Sequence, residues 1–258
     1  WWNAVDLGRL EIETEKIADG VRFKSINVVS DKHRLALKAD WIKTENGSVT
    51  ELYGDFAVEE VGDFLSKMEF TDDIKEAQAN IGFFSAWAGT PYQFSLQSIN
   101  AEIDLELKDG RIASIEPGFG RLLGLIAMEQ WVKRVMLDFG DVYKQGLSFN
   151  NIMGHFNLSE GQLITKDLMV DAVPAQISLV GKADLVTETL DYQVLVVPKS
   201  SGALPIAGTI VSGIAGVITQ ALTDDYKDGY FFGSKYNIAG PWDNVKVTAL
   251  HKQDGILK

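Results

Sequence analysis

A mainly β protein, organised around a mostly antiparallel sheet with about three accessory helices, is predicted by three features of this 258-residue chain. Period-two alternation of apolar and polar residues recurs from end to end, and it places alternate side chains on opposite faces of a strand. Turn signals at Asn46-Gly47, Asp109-Gly110, Glu160-Gly161 and Asp228-Gly229 punctuate the alternating runs at hairpin spacing. Helical spacing of apolar residues is confined to three segments, which leaves an α+β arrangement as the alternative.

The alternation begins in "RLEIET" and continues in "HRLALKADW", where Leu35, Leu37, Ala39 and Trp41 share a face. It is clearest in "INAEIDLELKDGRI": Ile99, Ala101, Ile103, Leu105 and Leu107 fall on one side, with Asn100, Glu102, Asp104, Glu106 and Lys108 on the other. Asp109-Gly110 then reads as a hairpin turn. "AQISLVGKADL" repeats the pattern through Ile177, Leu179, Ala183 and Leu185, followed by "DYQVLVV" and "DNVKVTAL".

The first helical segment, near 58–68, aligns Val58, Val61, Phe64, Leu65 and Met68 on one stripe opposite carboxylates. The second, near 119–136, is rich in Leu, Ile, Met and Val and follows a turn containing Pro117. The third, near 204–222, contains no charged residue. Twenty helical residues span about 30 Å, the thickness of a hydrocarbon core. Its Gly208, Ser212, Gly216 and Gln220 form a small-residue face, with Ile206, Ile210, Ile214 and Ile218 on the bulky side. Such a helix suits packing on a sheet, reversible insertion or a span. These segments divide the chain into a β portion, 1–118, and a C-terminal portion, 119–258.

Composition narrows the functions. Thirty-six acidic residues against 24 basic ones give a formal charge of −12, and no basic run is present, which argues against nucleic acid. The chain lacks Cys, so disulfides and thiolate metal sites are absent. His33, His155 and His251 are far apart and fit no metal spacing. "GFGRLLG" departs from a dinucleotide loop, and "DDYKDG" lacks the ligands of a calcium loop. No cofactor and no enzyme activity are expected. The opening "WWNAVDLGRL" has neither an initiator Met nor a leader pattern, as expected of a piece of a longer protein.

The second half carries an ordered set of motifs: "GRLLGL" (120–125), "LDFGDVYKQGLSFNNIMGHFNLSEG" (137–161), "LVVPKSSGALPIAG" (195–208) and "YNIAGPWDN" (236–244). Together they resemble the C-terminal region of bacterial AsmA-like proteins, closest to the YhdP branch. "LGRLEIE" and "LKDGRIASIEPGFGRLLGL" extend the resemblance into the first half. It implies a bridge-like lipid transporter of a Gram-negative cell: a long sheet curled into an open apolar groove, anchored in the inner membrane and crossing the periplasm. Such a protein moves phospholipid towards the outer membrane, and its partners are phospholipid acyl chains and a membrane at the C-terminal end. On that basis Ile99, Ile103, Leu105, Ile177, Leu179 and Leu185 are assigned to the groove, and Ile206, Ile210, Ile214 and Ile218 to membrane contact. The alternative is an envelope scaffold that docks another envelope protein through its apolar face.

Overall fold

The computed structural model describes residues 6–112, 146–199 and 234–250. They form one antiparallel sheet of twelve strands whose spatial order is the sequence order: β1 (Arg9–Ile17), β2 (Gly20–Val29), β3 (His33–Thr44), β4 (Gly47–Val58), β5 (Ile74–Ala88), β6 (Asn100–Ile112), β7 (Leu147–Ser159), β8 (Gln162–Ala172), β9 (Ala175–Asp184), β10 (Thr189–Pro198), β11 (Ser234–Pro241) and β12 (Lys246–Ala249). Each strand pairs with its neighbours in sequence, and β1 does not return to β12, so the sheet is open. The chain is thus mainly β, as the alternation predicts.

One helix, α1 (Val61–Lys67), stands among the described residues. Asp63 in its first turn and Lys67 in its last complement the helix dipole and pair at 2.8 Å. It is shorter than the predicted 58–68 segment: Val58 ends β4, paired with His33 of β3 and Ala79 of β5, because two ladders claim its backbone. The segments near 119–136 and 204–222, and the turn at Asp228-Gly229, lie outside the described residues.

Asn46-Gly47 and Glu160-Gly161 do mark the β3–β4 and β7–β8 turns. Asp109-Gly110 does not: β6 continues through it to Ile112, with Asp109 alone in the left-handed region and out of both ladders. Gly110 pairs with both Glu76 and Phe149. A Cβ there would sit 2.4 Å from the Phe149 ring and 2.6 Å from Ala77 Cβ, so glycine serves close packing rather than a turn.

Register shifts mark three bulges. They fall at Lys24–Ser25 of β2, at Asn150 of β7 and at Lys166–Asp167 of β8, the last seen from both β7 and β9. Each inserts a residue into one strand and strengthens the local twist, which coils a long sheet instead of leaving it flat. The predicted division at 118–119 lies outside the described residues, and β6 and β7 on either side of it pair from Ala101–Leu158 to Ile112–Leu147.

Candidate functional site: the apolar face of the sheet

The registers put one set of side chains on a common face across every strand. Ile26 and Leu37 stand opposite each other, then Leu35 and Phe56, Phe56 and Ile81, Phe83 and Ile103, Ile103 and Phe156, Leu168 and Leu179, Leu179 and Val194, and Tyr192 and Ile238. On the opposite face the same strands carry Arg22, Asp40, Glu51, Asp55, Asn80, Glu102, Asp104 and His155. A single sheet with one oily and one charged side follows directly from alternation held in register.

Six residues chosen from the sequence all belong to the apolar face or its margin. Ile103 and Leu105 lie on β6, Ile177 and Leu179 on β9. Ile99 immediately precedes β6, and Leu185 immediately follows β9, where its N–H donates to the Gly161 carbonyl at 2.8 Å. Their surroundings divide them. Ile177, at 0% exposure, Leu179 and Leu185 are buried among Leu168, Val170, Val194 and Val196, whereas Ile99, Ile103 and Leu105 are only partly buried against this cluster. Fully burying one such side chain contributes about 1.5–3 kcal/mol, so β7 to β11 form the closed, stabilising half of the face. Towards β1 the face opens, and Leu10 and Ile12 on the edge strand are more than half exposed. Ile206, Ile210, Ile214 and Ile218 lie outside the described residues.

Alternation alone did not single out the residues that give the open half its shape. Gly54 of β4 sits beneath the Phe83 ring, whose Cζ is 2.3 Å from where a Cβ would stand. The ring therefore lies along the sheet rather than rising from it. Nearby, Phe56 meets Phe64 of α1 edge to face at 5.4 Å, and His33 meets the same ring at 5.4 Å, so the helix closes one rim over β3 and β4. Ser30 Oγ lies 2.9 Å from His33 Nδ1 and accepts the Lys32 and His33 backbone N–H groups. A glycine whose neighbour is a large aromatic on the adjacent strand, 29 residues on in sequence, has no local sequence signature.

Polar atoms on the apolar face are few. Thr50 Oγ1 donates to the Gly89 carbonyl at 2.9 Å. Tyr192 is buried with no partner for its hydroxyl, and burial pushes the phenol pKa up. The charged face behaves in the opposite way. The Arg22 guanidinium holds Asp40 below the usual carboxylate range through bonds of 2.8 and 2.9 Å. His155 lies between Asp167, at 2.5 Å from Nδ1, and Asp104, at 3.3 Å from Nε2, and the bond to Asp167 raises its pKa. Among the described residues no three His, Asp or Glu side chains are arranged to hold a metal, and no helix is long and apolar enough to cross a membrane.

Among the described residues, an open antiparallel sheet with one continuous apolar face defines a hydrophobic-surface protein of the open β-sheet class. The chain belongs to the YhdP family, whose family model, described as "YhdP protein", matches residues 1–247. A relative from Escherichia coli (strain K12), named "Intermembrane phospholipid transporter YhdP", is 23% identical over 257 residues, covering 98% of this chain and 20% of that protein. The chain thus spans about one fifth of the length of this curated relative. No solved structure matches.

Proposed function

We propose that this chain is a segment of a periplasmic phospholipid transporter, in which acyl chains lie along the apolar face of the sheet. The observation that carries this reading is the partly exposed apolar strip running across β1 to β6, through Ile12, Ile26, Leu37, Phe56, Phe83 and Ile103. A bilayer lipid gains about 0.8 kcal/mol for each CH₂ removed from water, so a smooth apolar strip holds it with no specific polar contact. Smoothness also suits movement, because successive strands offer equivalent surface. The name of the family relative, a phospholipid transporter between membranes, supports the same substrate and an envelope location. The role requires no catalysis. Ile99, Ile103 and Leu105 contact lipid first, while Ile177, Leu179 and Leu185 act mainly as the packed floor. Ile206, Ile210, Ile214 and Ile218 are the proposed membrane contact.

The test is extraction and mass spectrometry of lipid from the purified chain. Wild type is expected to carry phospholipid, and Ile103→Asp with Leu105→Asp to lose it. Asn157→Asp, which adds one negative charge to the exposed opposite face, is expected to keep it. A wild-type chain with no bound lipid would end this reading and favour docking of an envelope protein on the same face.

A further inference from the structure

The longest described stretch without charge is not on the apolar face alone. From Ala77 to Ala101 the chain contains no Asp, Glu, Lys, Arg or His, although 23% of the whole sequence is charged. The middle of that stretch is the β5–β6 connection, Gly89 to Ile99, and it points its largest side chains into solvent: Tyr92 is 81% exposed, Phe94 62% and Leu96 40%. On the other side of Gly161 from Leu96 stands Val186 of the β9–β10 turn, also exposed, so two neighbouring turns share one apolar tip.

This tip is held in place. Gly89 N–H donates to Ser48 O at 2.7 Å, and Trp87 Nε1–H donates to Thr90 O at 2.9 Å. The Gln93 side-chain oxygen accepts from Thr90 N–H and Oγ1–H at 3.0 and 2.9 Å, and Ser95 and Ser98 close a second turn. The Phe94 ring leans on Trp87 at 6.2 Å, edge to face. Several of the loop's polar groups are therefore bonded within the loop or to the strands beside it, and its exposed aromatics are presented by a fixed frame. Exposure of ordered aromatics costs free energy unless something covers them.

We propose that the 89–99 loop is a shallow anchor that seats Tyr92, Phe94 and Leu96 in the uncharged interface of a phospholipid bilayer. Two considerations choose the bilayer over a protein. Aromatic side chains bury about 150–250 Å² each, so three residues on a narrow tip fall short of the roughly 800 Å² per partner of a stable protein interface. A bilayer needs no matching surface: aromatic rings with a polar edge and an aliphatic neighbour settle at the headgroup boundary one by one. The rest of the chain, at −12, is repelled by an anionic surface, whereas this tip meets a zwitterionic one without electrostatic opposition. The anchor lies at the strand end opposite the β8–β9 turn, so it lets the sheet approach a membrane by one rim.

The chain has no cysteine, so Tyr92→Cys and, at the opposite rim, exposed Val173→Cys each create a single site for an environment-sensitive dye. With phosphatidylcholine vesicles, the dye at 92 is expected to shift to the blue and brighten while the dye at 173 does not. Flotation of unlabelled Tyr92→Ser/Leu96→Ser, two exposed positions outside the core cluster, is expected to show vesicle partitioning at least about tenfold weaker than wild type, with the melting temperature unchanged. No wild-type flotation, undiminished flotation of the double variant, or equal shifts at both dyes would overturn the proposal. So would a shift at 92 that grows with protein concentration in the absence of vesicles, which would assign the tip to contact between copies. Lipid retained on the sheet by the double variant is read separately by extraction, so the anchor and the proposed transport role fail independently.

Discussion

Leu168 of β8 stands directly opposite Leu179 of β9 on the apolar face because β8 carries one more residue than β9 between this pair and the Thr165–Gly181 pair above it. Without that extra residue, Leu168 would point to the charged side and Lys166 or Asp167 would enter the core. Burial follows the register: Leu168 is 1% exposed and Leu179 only slightly more. Leu179→Ala is therefore expected to cost about 2–5 kcal/mol in urea unfolding, and Ile103→Ala, on the open half of the same face, clearly less. Equal costs would show that the face has no open half.

Gly110 lies under Phe149 and beside Ala77 near the C-terminal end of β6. The backbone on both sides is paired, so an added methyl group has no room to relax. Gly110→Ala is expected to lower stability by about 1–3 kcal/mol. A neutral or stabilising effect, the usual outcome for glycine replaced in a strand, would place Gly110 in a looser site than its contacts indicate.

Tyr192 is buried with a hydroxyl that bonds to nothing. An unsatisfied buried hydroxyl costs about 1–3 kcal/mol, and phenylalanine keeps the ring that packs beside Gly181. Tyr192→Phe should leave the chain as stable or raise its melting temperature. A marked loss of stability would mean that the hydroxyl has a partner in solution.

His155 titrates on the charged face between Asp167 and Asp104. Its pKa is raised in the folded chain, chiefly by the Asp167 bond. The folded state therefore binds the proton more tightly than the unfolded state, whose histidine titrates near about 6.5. This contribution is complete below that value and disappears as pH rises through the folded pKa. It is small, since exposed pairs contribute about 0–1 kcal/mol. The melting temperature of His155→Gln relative to wild type is expected to be lowest below pH 6 and to converge with it in alkali. A deficit that grows with pH would reverse the assignment.

Strands with clean alternation were legible from sequence: β3, β6, β9 and β10 all contain the runs that predicted them, with Ile103, Leu105, Ile177 and Leu179 on a common face. Strands that sequence spacing did not reveal have physical reasons for their silence. β2 and β8 change phase at Lys24–Ser25 and Lys166–Asp167, so a fixed period loses them halfway. In β5, Phe84 and Ala86 on the charged side are as apolar as Phe83 and Trp87 on the other, and Tyr53 packs on Phe84 at 4.8 Å across that outer face. Asp109-Gly110 has turn chemistry, yet two flanking ladders outweigh a local preference. The exposed tip at Tyr92 and Phe94 had no signal beyond missing charge.

By itself the sequence determined that this chain is an antiparallel β protein with one apolar face, because a period of two is a property of adjacent residues. Family membership rested on ordered motifs, also a local matter. Only the tertiary structure decided how far each part of that face is buried. Ile177 and Ile103 carry similar side chains in similar patterns, yet Ile177 is fully buried and Ile103 only partly, because exposure depends on what the fold packs around each position and not on the residues beside it in sequence.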